Sequence, residues 1–188
     1  MSMPISLQNV LIGQVALVAC CGVYLAWWGI AFRPGVTSGG LLGGILLLLL
    51  MLLAGAGITY DVMGIRALAE QAESSRLIPI LIGGIVSYPV LLAVTVKLFH
   101  RIPTTELLLI VAWAVLEILV FSGLSSAGYL NGSSAVICYA AVGLATLIGL
   151  ICYVIYYQLA PWPAFYCGMV PLGLDGLTMA ALTFYTMH

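Results

Sequence analysis

The chain has 188 residues, of which 64% are hydrophobic and 6% charged, and its mean hydropathy is +1.23. Soluble domains carry roughly 25% charged residues, so five Lys+Arg and six Asp+Glu cannot solvate the surface of a water-soluble protein of this size. A formal net charge of -1 also excludes nucleic-acid binding, which needs a basic face to displace phosphate counterions.

A hydrocarbon core about 30 Å thick takes roughly 20 apolar residues of helix. Six segments meet that length: 8–32, 39–60, 77–99, 106–125, 134–158 and 163–187. Residues Met1 to Pro4 contain no basic n-region and the first apolar run is too long for a signal peptide, so it is expected to be a retained span. That span ends in Trp27, Trp28, Phe32, Arg33 and Pro34, read as an interfacial anchor followed by a breaker. Lys97, Phe99, His100, Arg101 and Pro103 close the third span in the same way, and Tyr156, Tyr157, Gln158 and Pro161 the fifth. Each odd helix thus turns straight into its even partner. The predicted fold is an all-α polytopic membrane protein, one integral domain of about six transmembrane helices arranged as three hairpins.

Residues 61–76 interrupt the apolar pattern with Asp61, Arg66, Glu70, Glu73 and Arg76. Arg66, Glu70 and Glu73 share one helical ridge, with Ile65, Leu68 and Ala72 roughly opposite, which predicts a short amphipathic helix lying in the interface. Asn131-Gly132 reads as a turn between the fourth and fifth spans. Arg33, Lys97 and Arg101 on the hairpin-tip side outnumber Arg66 and Arg76 opposite, so the tips are expected in the cytoplasm and both termini outside. A prokaryotic inner membrane is the expected location.

The glycine-rich run from Ser38 to Gly44 lacks the lysine of a phosphate-binding loop. Its registers Gly39/Gly43 and Gly40/Gly44 instead predict close helix approach, as do Gly83/Ser87 and the stripe of Tyr139, Gly143, Thr146 and Gly149. Tyr88-Pro89 falls mid-span, where proline frees a backbone carbonyl that must face protein or a cavity. This marks Tyr88 as a candidate lining residue beside a kink or gate. The five cysteines form no Cys-x-x-Cys pair and support neither a disulfide framework nor a metal site; they read as buried thiols.

Two charges stand where lipid disfavours them. Glu117 lies near the centre of the fourth span and Asp175 near the centre of the sixth. An acidic residue at mid-bilayer costs about 3 kcal/mol on insertion scales, and no basic residue lies at mid-span to neutralise either one. Each must be protonated, sit in a polar cavity or hold a cation. Gly168, Pro171, Asp175 and Thr178 share one small and polar face, and Pro171, Gly173 and Gly176 predict a breakable backbone like the discontinuous helices of transporters. Trp113 and Phe121 flank Glu117 by one turn, and such an aromatic wall suits an organic cation or a gated proton. The candidate substrate or ion site is therefore Asp175, Glu117, Thr178, Tyr88 and Trp113, with no cofactor and no metal.

Lys97 lies too near a helix end for a retinal Schiff base, and His100 and His188 lie at ends where paired haem ligands would not. Ser125 and Ser126 lack a buried histidine partner. Tyr60-Asp61 resembles the Tyr-Asp motif of aspartyl intramembrane proteases, and Leu172-Gly173-Leu174-Asp175 is similar to their Gly-x-Gly-Asp motif. Position 172 departs from it, being Leu where Gly is expected. The resemblance covers some seven residues and implies a minor alternative, a protease-like enzyme using Asp61 and Asp175. The leading expectation is a non-enzymatic transporter or channel for a small solute or ion, with intramembrane carboxylates as proton, cation or substrate site. The alternative is a non-catalytic membrane subunit that docks a partner protein. The expected partners are the lipid bilayer, a small solute or ion, and either further copies of the chain or a partner subunit.

Overall fold

A computed structural model describes residues 3–35, 40–72, 77–97, 100 and 105–187, with the Met187 side chain left aside. Six helices follow in chain order: α1 (Ile5–Ala31), α2 (Gly40–Gln71), α3 (Leu77–Lys97), α4 (Thr105–Ser126), α5 (Gly132–Tyr156) and α6 (Pro161–Met187). All six are long and apolar enough to cross a membrane, and the described residues include no strand. The chain is a multi-pass, all-α integral membrane protein. Its outer surface is correspondingly apolar, with Leu41, Ile85, Leu177 and Phe184 each exposed, as lipid-facing side chains should be.

Five helices close a ring in which α1 packs on α2, α2 on α4, α4 on α5, α5 on α6 and α6 back on α1. Helix α3 stands outside the ring against α4, its hairpin partner, and Thr95 is its one buried residue among those described. Helix α4 is the most enclosed, with eleven buried residues. This arrangement decides which side chains can share a site: those on α1, α2, α4, α5 and α6 can meet, whereas α3 packs chiefly on α4, with Tyr88, Leu91 and Leu92 also against the cluster that holds Tyr153 of α5.

Several elements differ from their sequence expectations. Helix α2 does not stop at residue 60; it runs unbroken to Gln71, so the separate interfacial helix over 61–76 is absent as far as residue 72. Its apolar stripe does exist, but Ile65 and Leu68 pack into the bundle core with Val10 and Leu124. Glu73 and Arg76 lie outside the described residues, as do Ser38, Gly39, Phe99, Arg101, Pro103 and His188. Asn131 is a helix cap rather than a turn centre: its side chain accepts from the Ser134 amide at 2.8 Å. The turn before it is made by Gly128, whose φ of +80° suits glycine. Pro161 opens α6, a position where its missing N–H costs nothing.

The close helix approaches use other glycines than those expected. A Cβ at Gly44, Gly83 or Gly143 would meet nothing within 4 Å. At Gly57 it would stand 2.6 Å from the Leu17 side chain, and at Gly64 2.9 Å from the Val10 backbone nitrogen. At Gly13 it would fall on the Asp61 carboxyl and 2.7 Å from the Asp61 backbone nitrogen. Glycines 13, 57 and 64 therefore bring the α1 and α2 backbones into direct contact. Of the expected stripe on α5, Gly149 does pack, with Ile110 at 3.6 Å.

Candidate functional site

The bundle is packed in one half and hollow in the other. In the half holding the α1 N-terminus, Val10, Ile65, Leu68, Val120, Phe121 and Leu124 form a continuous apolar core. In the half nearer the hairpin tips, a cavity of about 260 Å³ opens among α1, α2, α4, α5 and α6. Its lining is almost wholly apolar and aromatic, including Tyr24, Trp28, Trp113 and Tyr156. Trp28 is not the interfacial anchor expected. It is buried, 4% exposed, and its Nε1–H donates to the Phe165 carbonyl at 3.1 Å, tying α1 to α6 at the cavity wall. Gly168 leaves room for that indole, since a Cβ there would strike the ring.

Between the two halves lies a polar layer. Gln14 Nε2 donates to Asp61 Oδ2 at 3.1 Å and to Glu117 Oε1 at 3.0 Å. Thr183 Oγ1 donates to Gln14 Oε1 at 3.4 Å. One glutamine amide from α1 thus joins α2, α4 and α6. Asp61 and Glu117 are each 0% exposed, and Gln14 is 2% exposed. The second oxygen of each carboxyl, Asp61 Oδ1 and Glu117 Oε2, has no hydrogen-bond partner. No basic side chain contributes to this layer among the described residues.

The layer directly underlies the cavity floor, as the helical register shows. Leu17 on α1, Ile58 on α2, Trp113 on α4 and Met179 on α6 line the cavity. Each stands one turn from a member of the layer: Gln14, Asp61, Glu117 and Thr183 respectively. Four independent helices therefore place their polar residue at one depth, on the packed side of the hollow.

The geometry constrains charge. With both bonded oxygens held by one nitrogen, they are no more than about 6 Å apart, where two like charges repel by about 3 kcal/mol even at an effective dielectric near 20. Burial adds a desolvation cost for each charge. A doubly ionised pair is thus strongly disfavoured.

The sequence candidates divide around these two features. Asp175, 6% exposed, lines the cavity. Trp113 lines it too. Glu117 faces the polar layer rather than the cavity wall. Thr178 is not part of the lining, because Pro171, Asp175 and Met179 set the face that α6 presents. Tyr88 is not part of the cavity lining; it packs, half-buried, against the cluster of Leu107, Ile110, Val111 and Tyr153, where α3 meets α4 and α5. Pro89 leaves α3 continuous, and α6 is likewise continuous through Pro171 rather than discontinuous. Asp61, expected at a membrane edge, is instead inside the bundle.

Residues that sequence reasoning did not select are Gln14, Asp61 as a layer member, Thr183 and Glu106. Four of the five cysteines, Cys20, Cys21, Cys152 and Cys167, line the cavity, and all five are free thiols. Cys167 Sγ–H donates to the Cys152 carbonyl at 3.6 Å, but no group of three or more His, Cys, Asp or Glu is placed to hold a metal among the described residues. No protein-family model, curated protein or solved structure matches the chain.

Proposed function

We propose that the protein is a small proton-coupled carrier, in which the hollow half receives a solute and the Gln14–Asp61–Glu117 layer is the proton-bearing gate beneath it. The observation that carries this reading is the position of two fully buried carboxyls, joined by one amide, directly under the floor of a cavity. A solute entering the hollow half meets a layer whose charge state is tied to how tightly α1, α2, α4 and α6 are held together. With one proton shared, the amide bridges both acids. With both acids ionised, repulsion favours separating α2 from α4. With both neutral, each acid can donate as well as accept, and the layer can rearrange. Proton occupancy and helix packing are then linked, as alternating access requires. The packed core on the far side favours a gated carrier over an open pore.

The direct test uses proteoliposomes with an entrapped pH dye, challenged in turn with small amines, small carboxylates and alkali-metal cations. One class is expected to move protons faster than in protein-free vesicles, and Glu117→Gln should reduce that movement at least about tenfold while the protein still folds. Wild-type vesicles indistinguishable from protein-free ones for all three classes would overturn the carrier reading.

The outward faces at Gly44, Gly83 and Gly143 meet nothing within the chain, which favours association with further copies of it or with a partner subunit. Native mass spectrometry from gently extracted membranes separates these. A homo-oligomer is expected, whereas a distinct stoichiometric polypeptide would support a docking subunit in place of a carrier. With the hairpin tips in the cytoplasm, as the basic residues there favour, the hollow half lies on the inner side of the membrane.

A further inference from the structure

The cavity wall turns carbon toward its interior although it contains polar residues. Trp113 Nε1, Tyr153 Oη and Glu106 Oε2 are buried and expose no surface to the space. The thiols of Cys20 and Cys167 donate back into the wall, to the Leu50 and Cys152 carbonyls, at 3.6 Å each. Asp175, near the floor, is 6% exposed. A buried water needs about two to four polar partners, so a space of about 260 Å³ with this lining stays dry, as smaller apolar cavities do. Left empty, it costs stability in proportion to its volume, which favours filling by any hydrocarbon that can reach it.

Shape and access identify that hydrocarbon. The lining runs from Leu17 to Trp28 along α1 and from Glu106 to Leu116 along α4, about 15 Å in each case. A volume of about 260 Å³ spread over that length is a slot one chain wide, parallel to the helices and so to the acyl chains of the surrounding lipid. Among the lining residues the exposed ones are Ile58 on α2, Leu109 and Ala112 on α4, and Tyr157 at the tip-side end of α5. Helices α2 and α4 touch on the packed side, where Leu68 lies beside Gly123. Toward the hairpin tips, the exposed Ile58, Leu109 and Ala112 border a gap between the two helices that faces lipid. We propose that an acyl chain of a bilayer phospholipid enters through this gap and occupies the cavity. Its head group stays at the tip-side surface, where Arg33 and Tyr157 are exposed. The inference goes beyond the carrier reading: the hollow half is a lipid-chain site at rest, and a transported solute has to displace the chain.

Trp28 reports the chain, because it lines the cavity and is 4% exposed. In the full-length protein, Trp27→Phe, Trp113→Phe and Trp162→Phe together leave it as the single tryptophan. This variant is placed in nanodiscs of phosphatidylcholine with either plain or dibrominated acyl chains, since bromine quenches an indole at close contact. The brominated chains are expected to quench Trp28 emission about threefold or more, and aqueous acrylamide to leave it nearly unchanged. Ala112→Phe narrows the gap from α4 and should at least halve the quenching by brominated chains, with an unchanged thermal profile. Ala54→Phe narrows it from α2 and serves where the first variant folds poorly. Should the triple replacement itself fold poorly, the same comparison is read on the wild-type tryptophans with and without Ala112→Phe. Trp28 left unquenched by brominated chains, or quenched equally in both narrowed variants, overturns the proposal; so does acrylamide quenching as strong as that by the chains, which would mean a water-filled space. Chain occupancy without any proton movement in vesicles would remove the carrier reading and leave the site. Proton movement with an unquenched Trp28 would do the reverse.

Discussion

Replacing Gln14 by Leu is expected to be among the most damaging single substitutions in the chain. Leu fills nearly the same volume but removes both N–H bonds to Asp61 and Glu117 and the acceptor for Thr183. Two fully buried carboxyls are then left without their common donor, at about 1–3 kcal/mol each. A fall in thermal midpoint on the order of 10 °C in detergent follows for a helical domain of this size, accompanied by loss of proton coupling. The double variant Gln14→Leu, Asp61→Leu should recover part of that stability, because it removes one stranded carboxyl along with the donor. If Gln14→Leu melts like the wild type, the bridging amide does not hold the four helices together.

The second large effect is expected at Gly13. Any side chain there meets the Asp61 carboxyl and, at 2.7 Å, its backbone nitrogen. A flexible neighbour could turn aside, but a backbone atom of a packed helix cannot. Gly13→Val should therefore push α1 from α2, cost about 3 kcal/mol or more, and displace Gln14 from its partners at the same time. Little folded protein should survive extraction, as size-exclusion chromatography would show. Gly44→Val is the matched control: its Cβ meets open space within the chain, so the protomer should fold, although its association with other copies would change if that face is an interface. Equal tolerance of Val at both positions would contradict the close α1–α2 approach.

Much of the fold could be read from composition, because lipid demands long apolar helices and nothing else in the chain competes with that demand. The hairpin boundaries followed from proline and aromatic punctuation. Glu117 and Asp175 stood out because an acid in an apolar run has no structural reason of its own. Asp61 did not, because the charges after it make residues 61–76 look like a connector. A signal was nevertheless present: Gly57, Asp61, Gly64, Ile65 and Leu68 recur at helical spacing, and all five prove buried. That stripe continues the span rather than ending it. Gln14 was passed over because it is uncharged, although an amide in lipid also needs a partner.

Which face of a helix turns inward was less legible. Thr178 and Tyr88 are as polar as the residues that do line the site, but α6 turns Asp175 and Met179 toward the cavity, and α3 lies outside the ring altogether. Small-xxx-small spacing was an equally ambiguous guide, since Gly40/Gly44 and Gly57/Gly64 both look like packing surfaces. Only the partner helix distinguishes a glycine that touches a backbone from one that faces outward.

The central claim is that a proton resides on the Asp61–Glu117 pair, and infrared spectroscopy of the carboxyl region tests it most directly. At neutral pH the wild type is expected to show a carbonyl stretch from a neutral carboxylic acid, insensitive to bulk solvent exchange on short times because the pair is sealed from water. Asp61→Asn and Glu117→Gln should each remove or shift that band, while Glu106→Gln leaves it in place. A band that survives unaltered in both layer variants, or no neutral-carboxyl band at all in the wild type, would contradict a proton-bearing gate.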